Sequence, residues 1–117
     1  MTKLRVLIAF DDAHRIYGET IAGAIEAMRP AVEATTTKLS GFETEGRIFE
    51  PHVVISSLPR VVANPIGPLA WVQIPIFTHQ HARIWLEERR WEASNLPLEK
   101  ILSVVDEAEK LVRDQDL

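Results

Sequence analysis

Apolar residues recur along this chain in two periods, and the switches between them mark its elements. Residues 4–10, Leu-Arg-Val-Leu-Ile-Ala-Phe, form a nearly continuous apolar run. Such a run suits a strand covered on both faces, as in the middle of a parallel sheet. Asp11 or Asp12 can then cap a helix whose inward face is predicted as Ile16, Thr20, Ile21, Ala24, Ile25 and Met28, closed by Pro30. The β-branched stretch 32–37 reads as a shorter, more polar strand nearer an edge. Ser40 and Glu43 have capping-box spacing, which predicts a helix to about Phe49 before Pro51, weakened by Gly46. Residues 53–56, Val-Val-Ile-Ser, make a third strand.

Strand, helix, strand, helix, strand in that order implies right-handed crossovers and a parallel sheet. Residues 58–69 then break the rhythm with three prolines and a glycine, which predicts a loop in place of a crossover helix. A fourth strand is expected at 70–74. Residues 82–86 and 90–93 alternate apolar and charged side chains around Glu87-Glu88-Arg89, the pattern of a hairpin whose mixed charge keeps a sheet edge soluble. The last helix is predicted over 97–113, with Leu98, Ile101, Leu102, Val105, Ala108 and Val112 on one face. A second series, Val104, Ala108 and Leu111, widens its apolar arc beyond what one sheet face requires. That excess predicts a homodimer contact at Val104 and Leu111, or at the Trp85–Trp91 hairpin.

Composition narrows the class. The 117 residues, 46% of them hydrophobic, suffice for one core, so residues 1–117 are expected to form a single domain. No apolar run approaches a membrane span, and residues 6–10 are too short for a signal-peptide core, so a cytoplasmic protein with no membrane partner is expected. The absence of cysteine excludes disulfides, thiolate metal sites and a cysteine nucleophile. Thirteen basic residues, dispersed among seventeen acidic ones, leave a formal charge of −4 and no footprint for nucleic acid.

Residues 4–59 resemble the first half of a response-regulator receiver domain. The resemblance lies in Leu-Arg-Val-Leu-Ile-Ala-Phe-Asp-Asp, in the helix ending Met-Arg-Pro-Ala-Val-Glu, and in Phe-Glu-Pro-His-Val-Val-Ile-Ser-Ser-Leu-Pro, in that order. It implies an α/β, flavodoxin-like, receiver-like sheet, here with a divergent C-terminal β-hairpin and final helix, and a site at the carboxyl ends of the strands. In working receivers an acidic pair binds magnesium, an aspartate after the third strand takes the phosphoryl group, a hydroxyl senses it and a lysine neutralises it. By that likeness Asp11 and Asp12 stand for the acidic pair, and Thr78 for the sensing hydroxyl. Ser57 stands where the acceptor belongs, and no Lys-Pro pair occurs. A serine forms no acyl phosphate, so the resemblance implies a pseudo-receiver. It would be a non-catalytic regulatory or protein-interaction module, no enzyme, without a required cofactor, working through a protein partner or a homodimer.

Two other readings compete. Asp11, Asp12, Ser57 and Thr78 could line a crevice for a small molecule or nucleotide, although no glycine-rich phosphate loop accompanies them. Alternatively, Asp11, Asp12, His79 and His81 could hold a metal, magnesium on the carboxylates or a transition metal on the His-x-His pair, with His52 or Asp11 as a third ligand. Against each stands a plainer role: helix caps for the aspartates, a polar turn for Ser57, and core packing for Trp71, Trp85 and Trp91.

Overall fold

The computed structural model describes residues 3–59, 68–75 and 80–115. In chain order they form β1 (Leu4–Phe10), α1 (Arg15–Met28), β2 (Val32–Lys38), α2 (Phe42–Phe49), β3 (Val53–Ser56), β4 (Ala70–Gln73), β5 (Ala82–Leu86), β6 (Arg89–Ala93) and α3 (Leu98–Gln115). Single 3-10 turns, Asp12–His14 and Leu39–Gly41, lead into α1 and α2. The strands make one six-stranded mixed sheet in the order β2-β1-β3-β4-β5-β6. β2, β1, β3 and β4 run parallel; β5 and β6 continue the same sheet antiparallel. The elements predicted from 4–56 are all present, and the hairpin extends the sheet outward. Of the loop read over 58–69, residues 60–67 lie outside the described part.

β1 is buried along its length except for Arg5 because both its faces are covered. Leu4, Val6, Ile8 and Phe10 face a core shared with α1 and α3, while Leu7 and Ala9 face α2. Arg5 points to the α2 side, where its Nε–H donates to the carbonyls of Phe49 (2.8 Å) and Glu50 (2.9 Å). Those are the carbonyls that the end of α2 leaves unbonded. Glu50 itself caps α2 in the left-handed region, φ 51°, a conformation that costs a residue with a Cβ about 1 kcal/mol. Glu50→Gly should therefore raise stability by up to about 1 kcal/mol, read as a higher denaturant midpoint at unchanged slope.

The inward face of α1 matches the predicted one at Ile21 and Ile25 and differs from it elsewhere. Gly18, Ile21, Ala22 and Ile25 are buried, whereas Ile16 and Met28 are 75% and 54% exposed. Thr20 also faces out, its hydroxyl bonded to the Ile16 carbonyl at 2.8 Å. The reason is close approach: a Cβ on Gly18 would stand 3.1 Å from the Phe10 ring and 3.3 Å from Ile8. The helix is rotated so that Gly18 and Ala22 join Ile21 and Ile25 against the sheet, and Ile16 is turned away. Neither predicted cap forms. Asp11 precedes its 3-10 turn without a side-chain cap hydrogen bond, and α2 starts at Phe42 with no side-chain cap, so Ser40 and Glu43 do not make a capping box.

α3 corrects the expectation of a spare apolar face. Ile101, Leu102, Val104, Val105, Ala108 and Val112 are all buried, Val104 to 5% exposure, and Leu111 is half-buried against the same core. α3 packs over β1 and β4, and ionic contacts tie its two flanks to the end of α1 and to the hairpin. Arg29, just after α1, grips Asp106 through two nearly parallel bonds of 2.7 and 2.9 Å, which hold its guanidinium pKa above the usual arginine range. Arg89 of β6 reaches Glu107 at 2.7 Å. α3 thus lies in a trough between α1 and the hairpin, with more than one neighbour to cover. Val104 is not available as a dimer contact. The opposite face holds a smaller core around Trp71, fully buried, edge-on to Phe42 (5.7 Å between centroids, 76°), with its Nε1–H donating to the Leu58 carbonyl at 2.9 Å. Among the described residues no helix is long and apolar enough to cross a membrane.

Candidate functional site

Parallel strands that start from one end of a sheet deliver their carboxyl ends to the other, so the residues after β1 and β3 share an edge of the fold. The register Ala9↔Ser56 sets them side by side, with Asp11 and Asp12 following β1 and Ser57 following β3. What each does there differs from the others. Asp11 turns to its own 3-10 segment, where its Oδ1 meets His14 Nδ1 at 2.6 Å. Both groups remain more than a third exposed. Asp12 lines a hollow of about 130 Å³ on the β2 side with Arg15, Thr36, Thr37 and Lys38. The acidic pair is therefore split between two environments.

At the end of β3 the fold uses serine structurally. Ser56 is fully buried, and its Oγ accepts the Leu58 N–H at 3.0 Å. That bond makes the chain turn over the strand end and sets the Leu58 carbonyl for Trp71. Ser57, the residue expected at the acceptor position, is half-buried beside this turn. Sequence reasoning passed over Ser56, although a short polar residue ending an apolar strand is the usual signal of a side chain that bonds the next backbone turn.

The histidines do not join the aspartates. His81 precedes β5, three strand positions from β1, which is roughly 14 Å at the usual strand spacing. Its Nδ1 lies 3.6 Å from Glu92, which also pairs with Arg83 at 3.4 Å. His52 sits at the amino end of β3, where its Nδ1 accepts the Arg5 N–H at 3.0 Å, and so cannot complete a set at the carboxyl end. Thr78 and His79 lie outside the described residues. Among the described residues, no three His, Asp or Glu side chains come together to hold a metal ion. Of the expected set Asp11, Asp12, His79 and His81, the three described members, Asp11, Asp12 and His81, are not brought together.

Two larger hollows lie toward the hairpin. One of about 350 Å³, lined by Gln73, Pro75, Gln80, His81, Arg83 and Glu92, adjoins the end of β4. The other, about 720 Å³, runs between β6 and α3 past Trp91, Ala93, Leu96, Lys100 and Val104. Trp85 is half-buried and Trp91 40% exposed, so of the aromatic interface candidates Trp91 presents the larger free surface. The single tyrosine, Tyr17, packs edge-on against Phe10 at 5.4 Å, and its burial pushes the hydroxyl pKa up. No protein-family model matches the chain, and neither curated proteins nor solved structures contain a significant match to it.

Proposed function

We propose that the chain is a non-catalytic protein-interaction module on a flavodoxin-like, receiver-like core, one that does not use aspartyl phosphorylation. The observation that carries this reading is the end of β3. Ser56 there is committed to the Leu58 turn, and Ser57 offers a hydroxyl where a receiver needs a carboxylate. Without that carboxylate there is no mixed anhydride for a metal, a hydroxyl and a lysine to stabilise. The parallel order β2-β1-β3-β4 and the carboxyl-end position of Asp11 and Asp12 support the receiver-like part.

The two rival readings have less behind them. The hollow at Asp12 is below the roughly 300 Å³ at which small-molecule pockets begin, and the 350 Å³ hollow at the end of β4 is lined by none of Asp11, Asp12 and Ser57. Metal-dependent chemistry would need Asp11, Asp12 and His81 in one place, and three strand positions separate them. A thermal-shift screen distinguishes the three readings, because anything that binds only the folded state raises its apparent stability. The module reading expects no shift with magnesium and acetyl phosphate, with nucleotides, or with zinc. A saturable shift with any of them overturns it.

A further inference from the structure

We propose that β6 is the docking edge for a second copy of this chain, joined antiparallel about a two-fold axis through Trp91. The proposal rests on the interaction-module reading and names its partner.

The argument starts from which backbone groups of β6 face outward. Glu87 donates its N–H to the Leu69 carbonyl at 2.8 Å, so the alternate residues Trp85 and Glu87 bond toward β4. Leu86 therefore bonds toward β6 and closes the two-residue turn with Arg89. By the same alternation Arg89, Trp91 and Ala93 face β5, while the N–H and C=O groups of Arg90 and Glu92 point away from the sheet. β6 is the edge strand, and these groups have no strand beside them among the described residues.

An antiparallel partner must place its own outward residues opposite these. With identical strands three registers are close at hand, and their side chains discriminate among them. An axis at Arg90 sets arginine against arginine, and one at Glu92 sets glutamate against glutamate. Only the axis at Trp91 sets Arg90 against Glu92 of the second copy, twice by symmetry, with four backbone hydrogen bonds between them. Opposite charges directly across an antiparallel pair stabilise it, and like charges do the reverse. Arg90 makes no ion pair among the described residues and is exposed, and Glu92, which meets His81 and Arg83 of its own chain at 3.6 and 3.4 Å, is 55% exposed and open to a second arginine. The same register brings Trp91 against Trp91 of the second copy on the α3 face, beside the 720 Å³ groove, and so covers exposed aromatic surface. Charged side chains on an edge strand usually keep it from pairing with itself, but those of β6 are of both signs, and in this register each outward one meets its opposite. β6 reads Arg-Arg-Trp-Glu-Ala and pairs with β5 at all five positions without interruption.

Charge exchange across the axis tests this. In light scattering coupled to gel filtration at about 100 μM, where even a micromolar dimer is mostly assembled, the native chain should run as a dimer. Arg90→Glu and Glu92→Arg should each run as monomers with native circular dichroism, since each places like charges opposite each other twice. Mixed in equal amounts, the two variants should form a heterodimer, because their edges are then wholly complementary. Separately, Trp91→Cys in this cysteine-free chain should form a disulfide-linked dimer under mild oxidation, the two Cα atoms being about 4.5 Å apart in such a pair. A monomeric native chain, a single variant that dimerises like the native chain, or a mixture that stays monomeric overturns the proposal. The ligand screen above reads the strand ends and not the mass, so the two failures are distinguishable.

Discussion

Trp71→Ala is expected to lower the stability of the fold by about 3–5 kcal/mol, the range for deleting a buried tryptophan. Trp71 is the largest of the fully buried side chains, and three separate contributions end with it. The small core on the α2 face loses its central member, beside Leu7, Ala9, Phe42 and Val54. The edge-on contact with Phe42 disappears. The Leu58 carbonyl loses its donor, which loosens the turn that Ser56 begins. A domain of this kind has about 5–15 kcal/mol in total, so the variant should unfold at a much lower denaturant concentration, or be unfolded at the outset. A loss under about 1 kcal/mol in urea titration would contradict the place given to Trp71. Trp71→Phe should cost less, because it keeps most of the aromatic contact and forfeits the hydrogen bond.

Val104→Glu should be still more damaging. Burying a carboxylate among aliphatic side chains costs several kcal/mol unless a partner meets it, and Val104 belongs to the core shared by α1, α3 and the sheet. The variant is expected to have lost its helical circular dichroism, or to melt far below the native chain. Leu111→Glu, at a half-buried position on the same helix, should fold with a smaller loss. If Val104→Glu folds normally and changes only the oligomeric state, then the helix presents Val104 to a partner and the burial described here is wrong.

The contrast between these two positions shows where the sequence was legible. Strand and helix boundaries followed from periodicity, and β1, α2, β3 and the hairpin lie within a residue or two of the expected ranges. Facing was harder to read. On α1 the larger residues Ile16 and Met28 dominated the apolar pattern, yet the fold seats Gly18 and Ala22 on the sheet, because close approach to Phe10 and Ile8 outweighs side-chain size. On α3 a wide arc looked like surplus only because the pattern of one helix cannot say how many neighbours it has. Arg29–Asp106 and Arg89–Glu107 are contacts between residues far apart in the chain, and they reveal those neighbours only in three dimensions. At the candidate site, the place of Ser57 directly after the third strand could be read from the sequence. The bonds of Ser56 to Leu58 and of Asp11 to His14 are local, two and three residues apart, and their signal was in the sequence; the separation of His81 from the aspartates depends on strand order, which local sequence does not carry.

The end of β3 decides whether the chain can respond as a working receiver does. Amide spectra of the isotopically labelled chain, recorded during titration with beryllofluoride and magnesium, test it most directly, since that complex mimics the phosphorylated aspartate of a working receiver. The expected result is no change in the signals of Asp11, Asp12, Ser57 and Leu58, and none in tryptophan fluorescence. Saturable shifts at those residues would contradict the account.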